Sequence, residues 1–217
     1  MPIVFDAAST AIGSTAASTV SVVHQASGSN RAVLVVAARR GTTSSLTELR
    51  WAGSTITPVL VVNNIIGTSQ IGVVVAVVTN PTTASTTAEV QWAIAPTILN
   101  SISVISYGNV NQTTPYDSTA AANGNTSNAT ITLASTDGGW PFATFTMQTS
   151  QATTGTGTIE RTRSSNPLAV HSAGDEASSG SVIINWAFPA ANQWSGGGFV
   201  LRPAAATSRA PQLIWMD

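Results

Sequence analysis

At 217 residues and 22.1 kDa, with 43 % apolar residues, the chain is long enough to bury one large core, and global disorder is excluded. Only 8 % of its residues are charged, about a third of the roughly 25 % usual in globular domains, so hydroxyls and amides must make its surface compatible with water. All eight basic residues are Arg and the net charge is −1, so no basic field can hold nucleic acid; without cysteine, neither disulfides nor thiolate metal sites contribute.

The opening MPIVFDAAST has no basic leader ahead of an apolar run, and no secretory signal is expected. Val20, Val22 and His24 then alternate along a predicted strand, which puts His24 on an apolar face as a structural residue. AVLVVAA at 32–38 and IGVVVAVV at 71–78 break this alternation. Continuous β-branched runs of that length suit central strands covered on both sides, and the second is far too short to cross a bilayer. Between them, TELRWAG sets Leu49 and Trp51 against Glu48 and Arg50.

Further along, AEVQWAI places Val90, Trp92 and Ile94 on one face against Glu89 and Gln91. NATITLAS turns Ile131 and Leu133 inward with Thr130 and Thr132 outward, and PFATFTMQ aligns Ala143, Phe145 and Met147. The clearest case is SVIINWAF, where Val182, Ile184, Trp186 and Phe188 share one face and Ile183, Asn185 and Ala187 the other. ASGSN, RRGTTSS, VNNIIGTS, TNPTTAS, AANGNTSN, STDGGWP and QWSGGG punctuate these runs and read as turns. Ala-rich pieces such as STAAN lack an apolar face at helical spacing. The expected fold is all-β, an antiparallel β-sandwich of about ten strands with little or no helix.

Catalytic signatures are sparse. A hydrolytic triad needs a nucleophile, a His and an orienting carboxylate, whereas the chain has only His24 and His171 and no Gly-x-Ser-x-Gly elbow. HSAGDE brings His171 near Asp175 and Glu176, but the spacing matches no metal loop and reads as a polar connection before the strand at 181. Asp137 lacks the company of acids that calcium requires. No catalytic residue, metal or cofactor is assigned, and the chain is read as a non-enzyme. Trp140 in GGWPF and Trp194 in NQWSGGG lie beside glycines outside the alternating runs. Together with Tyr116 they are candidates for stacking on a glycan ring, the alternative for the two Trp being caps on the ends of the sandwich core. Three Asn-x-Ser/Thr sequons, at Asn111, Asn125 and Asn128, are what chance gives in so Ser/Thr-rich a chain.

An ordered series of stretches resembles a jelly-roll-like β-sandwich family of tailed-phage virion proteins and bacterial surface proteins. The series runs GSNRAVLVVAARR (28–40), LTELRWAGSTITPV (46–59), VVVAVVTNPTTASTTAEVQW (73–92), SVISYGNVNQTTPYDS (103–118) and INWAFPAANQWSGGGFVLRP (184–203). It covers nearly all of residues 15–203 and departs from the family at WAGSTIT, where Gly53 stands alone and the family often shows two glycines. The resemblance implies adhesive, decorating or scaffold modules, commonly homotrimers.

The expectation is therefore a structural virion protein, a capsid decoration or cement protein, made in the host cytoplasm as a soluble protein and assembled on the major capsid protein or another virion protein. The alternative is a carbohydrate-binding or receptor-binding module of a phage appendage or bacterial surface protein. Residues 1–203 are expected to form one β-sandwich domain and 204–217 an extended tail whose apolar end, Leu213, Ile214, Trp215 and Met216, anchors a partner. Neither nucleic acid nor membrane is expected as a partner.

Overall fold

The computed structural model describes residues 1–14, 16–66, 69–135, 138–147, 153–154, 159–164, 169–173 and 180–205. In chain order the strands are β1 (Val4–Ile12), β2 (Thr19–His24), β3 (Ala32–Thr42), β4 (Leu46–Trp51) and β5 (Ser54–Thr55). They continue with β6 (Leu60–Ile66), β7 (Ser69–Thr79), β8 (Thr86–Trp92), β9 (Leu99–Gly108) and β10 (Tyr116–Ser135). The last are β11 (Trp140–Met147), β12 (Thr153–Thr154), β13 (Glu160–Ser164), β14 (Ala169–Ala173) and β15 (Gly180–Leu201). The described residues contain no helix, and β5 and β12 are two-residue pieces.

These strands form three antiparallel sheets, ordered β1-β9-β3-β7-β6, β2-β8-β4-β5 and β10-β15-β11-β14-β13, the last with β12 added to β15. The first sheet is the middle layer, as its two continuous apolar runs demand. Leu34 and Val36 of β3 and Val73 and Val75 of β7 pack with Phe142, Phe199 and Leu201 of the third sheet. Their neighbours Val33, Val35 and Ala37, with Val74 and Ala76, pack with Leu49, Trp51, Val90 and Trp92 of the second. A strand buried on both faces needs apolar residues at every position, and β3 has them from Ala32 to Ala38.

The third sheet is built on a long hairpin. β10 and β15 pair from Tyr116↔Leu201 to Ser135↔Gly180, and the register jumps from Thr126↔Asn192 to Asn128↔Ala187. Four residues of β15 (188–191) thus stand opposite one of β10 (127), a wide bulge that bends the hairpin. Pro189 sits within it, where its missing N–H costs no ladder bond. Past the bend, Ile131, Leu133, Ile184 and Trp186 join Ala143, Phe145 and Met147 of β11 in a third apolar core. The second and third sheets never share a layer, so the molecule is a sandwich with a doubly covered middle.

Several turn assignments from the sequence are corrected. VNNIIGTS contributes to β6, AANGNTSN lies inside β10 and QWSGGG inside β15. The glycines of β15 serve close packing: a Cβ at Gly196 would collide with the Phe145 ring, and one at Gly198 with the Phe142 carbonyl. The apolar face of AEVQWAI stops at Trp92, where β8 ends, and Ile94 is 53 % exposed. His24, by contrast, is buried on the inward face with Val20. The single-glycine hairpin between β4 and β5 closes with Ala52 at φ 54° and Gly53 at φ 77°, so Ala52 takes a left-handed position that a second glycine would fill without strain.

Candidate functional site

Two of the three aromatic candidates, Trp140 and Trp194, are core residues, and Tyr116 lies at the core's edge. Trp140 is 7 % exposed, its ring 6.0 Å from that of Tyr107, with the Arg161 guanidinium 5.4 Å from its centroid. Trp194 is 6 % exposed, lies against Gly124, meets Phe145 edge-on at 6.1 Å and donates Nε1 to Thr126 Oγ1 at 2.9 Å. Tyr116 is half-buried against Phe199, 5.3 Å between centroids. The glycan-stacking assignment for Trp140 and Trp194 is therefore corrected: rings this large stabilise the fold most when removed from water, and Gly124, paired across the ladder with Trp194, leaves room for that indole. Tyr116 keeps some exposure, but its ring already packs on Phe199. His171 lies on β14 opposite Thr162, not in a connecting loop. Leu213, Ile214, Trp215 and Met216 lie outside the described residues, as do Asp137, Asp175 and Glu176.

The richest polar constellation is one the sequence did not single out. Phe5 pairs with Tyr107 and Ala7 with Ser106, which leaves Asp6 as the extra residue of a bulge in β1. Its carboxylate accepts from the Ser27 backbone N–H at 2.7 Å, from Ser106 Oγ at 2.7 Å and from Ser27 Oγ. Behind it, Ser106 Oγ lies 3.0 Å from His24 Nε2, and His24 Nδ1 lies 3.0 Å from Ser9 Oγ. Since Ser106 gives its one hydroxyl proton to the carboxylate, His24 Nε2–H donates to Ser106, and Nδ1 accepts from Ser9.

That polarity runs opposite to a nucleophilic triad, in which the imidazole takes the serine's proton and the carboxylate orients the imidazole. Here the acid holds the serine, and Ser106 is fully buried. Burial pushes the His24 pKa below its ordinary value against the pull of Asp6, so the ring is neutral at neutral pH. For Asp6, burial acts upward, but the donors on Ser27 and Ser106 and the nearby His24 outweigh it and hold the carboxyl below its ordinary value. The result is a fixed, ionised carboxylate at the surface with a neutral relay behind it.

Asp6 opens onto a pocket of about 300 Å³ lined by Val4, Phe5, Ser27, Gly28, Ser29, Gly108 and Asn109 besides itself. The backbone around it is unusual: Gly28, Asn30 and Asn109 have φ of 76°, 46° and 60°. Asn109 donates its backbone N–H to the Ser29 carbonyl and Nδ2 to the Pro2 carbonyl, tying the loop after β2 to the end of β9. One signal in the sequence marked this corner. Asp6 is the only acid before Glu48, a lone charge in a strand of Ala, Ser and Thr.

Two further features bear on function. Arg39 is fully buried, stacked 5.1 Å over the Trp92 ring, with Nη2 on the Thr42 carbonyl while Nε and Nη1 lack partners; burial pushes its pKa down to about 10. Among the described residues, β10 pairs on one side only, with β15. From Ser118 to Ser135 it carries no charge and no proline, and its one charged residue, Asp117, is held by Arg202 Nε at 2.7 Å. Compared with known protein families, curated proteins and solved structures, the chain matches none.

Proposed function

We propose that this chain is a structural assembly protein of a tailed-phage particle, a capsid decoration or cement protein that joins its neighbours through neutral and apolar contacts. The observation that carries the assembly role is the β10 edge. A sheet edge offers a row of unpaired N–H and C=O groups, and proteins that stay monomeric blunt such edges with Lys, Pro or a covering element. Between its two bulges β10 keeps seven residues in unbroken register, Ala120↔Gly198 to Thr126↔Asn192, about 23 Å of strand, without any such charge or proline. A closed homotrimer or other symmetric oligomer would cover it, and low charge removes the repulsion that opposes close approach. The virion setting rests on the sequence resemblance alone, the ordered stretches between residues 28 and 203 that are similar to a jelly-roll-like family of tailed-phage virion and bacterial surface proteins.

The test is light scattering of the purified chain together with co-sedimentation on phage particles that lack it. The expected result is a closed oligomer whose mass does not change with concentration and which pellets with the particles. A monomer at micromolar concentration that stays in the supernatant would overturn the proposal.

A further inference from the structure

We propose that the pocket at the Asp6 bulge binds a single hydroxyl-bearing ring, a pyranose unit of a glycan, with Asp6 as hydrogen-bond acceptor and the exposed Val4 side chain as the apolar wall. This goes beyond the assembly role and does not depend on it.

The pocket is built, not incidental. A bulge re-aims a side chain out of the ladder, and the residue it releases in β1 is the only acid of the N-terminal 47 residues. Three donors, the Ser27 N–H, Ser27 Oγ and Ser106 Oγ, fix that carboxylate in place, and Ser106 is itself fully buried and backed by His24. Val4, two residues before Asp6 in β1 and 52 % exposed, lines the same pocket and supplies its apolar side.

The lining selects the ligand class. A carboxylate offers about four lone-pair sites, three are taken, and the fourth can accept one hydroxyl hydrogen. A cation such as calcium wants six to eight oxygens, and the described residues hold no group of three or more His, Cys, Asp or Glu side chains. An anionic ligand is disfavoured by the charge of Asp6, which forms no salt bridge among the described residues. Ser29 and Asn109 add neutral polar groups, while Val4 gives an apolar surface for the C–H face of a ring. At about 300 Å³ the space is at the small end of ligand pockets, which suits one ring and not an extended peptide.

The experiment applies the full chain to a printed array of neutral, amino and acidic oligosaccharides, then titrates the strongest glycan by calorimetry against three variants. The expected result is binding to neutral or amino-sugar glycans above acidic ones, weakened about tenfold or more by Asp6→Asn. Ser29→Trp, placed on an exposed loop residue that contributes only backbone to the fold's hydrogen bonds, fills the pocket and abolishes binding even if Asp6→Asn folds poorly. Thr132→Trp, exposed on the far half of β10, leaves binding unchanged. Absence of array binding by the folded wild-type chain, or titration of Ser29→Trp with wild-type affinity, would overturn the proposal.

Discussion

The middle sheet and the β10–β15 hairpin solve burial in opposite ways. β3 and β7 lie between two other layers, so every residue from Ala32 to Ala38 is buried and the sequence there is uninterrupted Ala, Val and Leu. The hairpin buries one face of its far half, where Ala129, Ile131 and Leu133 alternate with Thr130, Thr132 and Ala134, and leaves the β10 edge to Ser, Thr, Asn and Ala. The difference teaches that the apolar pattern reports how many faces are covered. It is silent on edges.

The largest expected effect separates the two regions. Trp186→Ala empties the centre of the hairpin's core and costs about 3–5 kcal/mol in urea unfolding. If that core stands apart from the other two, hydrogen exchange accelerates at 128–135 and 182–187 while β3 and β7 keep their protection. Equal acceleration in β3 would show one cooperative unit and break the comparison.

A smaller effect tests the glycines of β15. Gly196→Ala sets a methyl group against the Phe145 ring and costs about 1–3 kcal/mol. The same change at Gly53, where a Cβ meets nothing within 4 Å, acts only through backbone strain at φ 77°. Comparable melting temperatures for wild type and Gly196→Ala would refute the packing role.

The polar corner of β1 sharpens the contrast by pH. Because burial lowers the His24 pKa in the fold, the unfolded chain takes up the proton first. Stability is therefore full above the ordinary value of 6.5 and falls as pH drops below it toward the folded value. Asp6, also lowered, adds a second loss as pH falls below 3.8. His24→Gln is expected to flatten the first decline in a series of thermal melts and leave the second; an unchanged first decline would assign it to another group.

The sequence made the faces of the fold legible because periodicity is a local signal. The double coverage of 32–38 and 71–78, the inward His24 and the alternation of SVIINWAF are all present in the structure. AANGNTSN and QWSGGG misled, since glycine and asparagine mark turns in most chains but here admit Trp194 and Phe145 between paired strands. For the same reason Trp140 and Trp194 looked accessible: proximity to glycine in sequence does not say whether the space is filled by solvent or by the indole itself. The Asp6 corner was hidden because its members come from β1, the end of β2 and its loop, and β9, and only the β1 bulge brings the carboxylate to Ser27 and Ser106. No local pattern encodes a contact between residues 6 and 106.

The central claim is that the unprotected β10 edge is the assembly surface, and the most direct measurement is light scattering of the double variant Ala121→Lys/Asn125→Lys beside wild type. Both positions are exposed, and lysine on an edge strand is a natural guard against pairing. The account predicts a wild-type oligomer and a monomeric variant with a nearly unchanged melting temperature. A variant that assembles like wild type would contradict it.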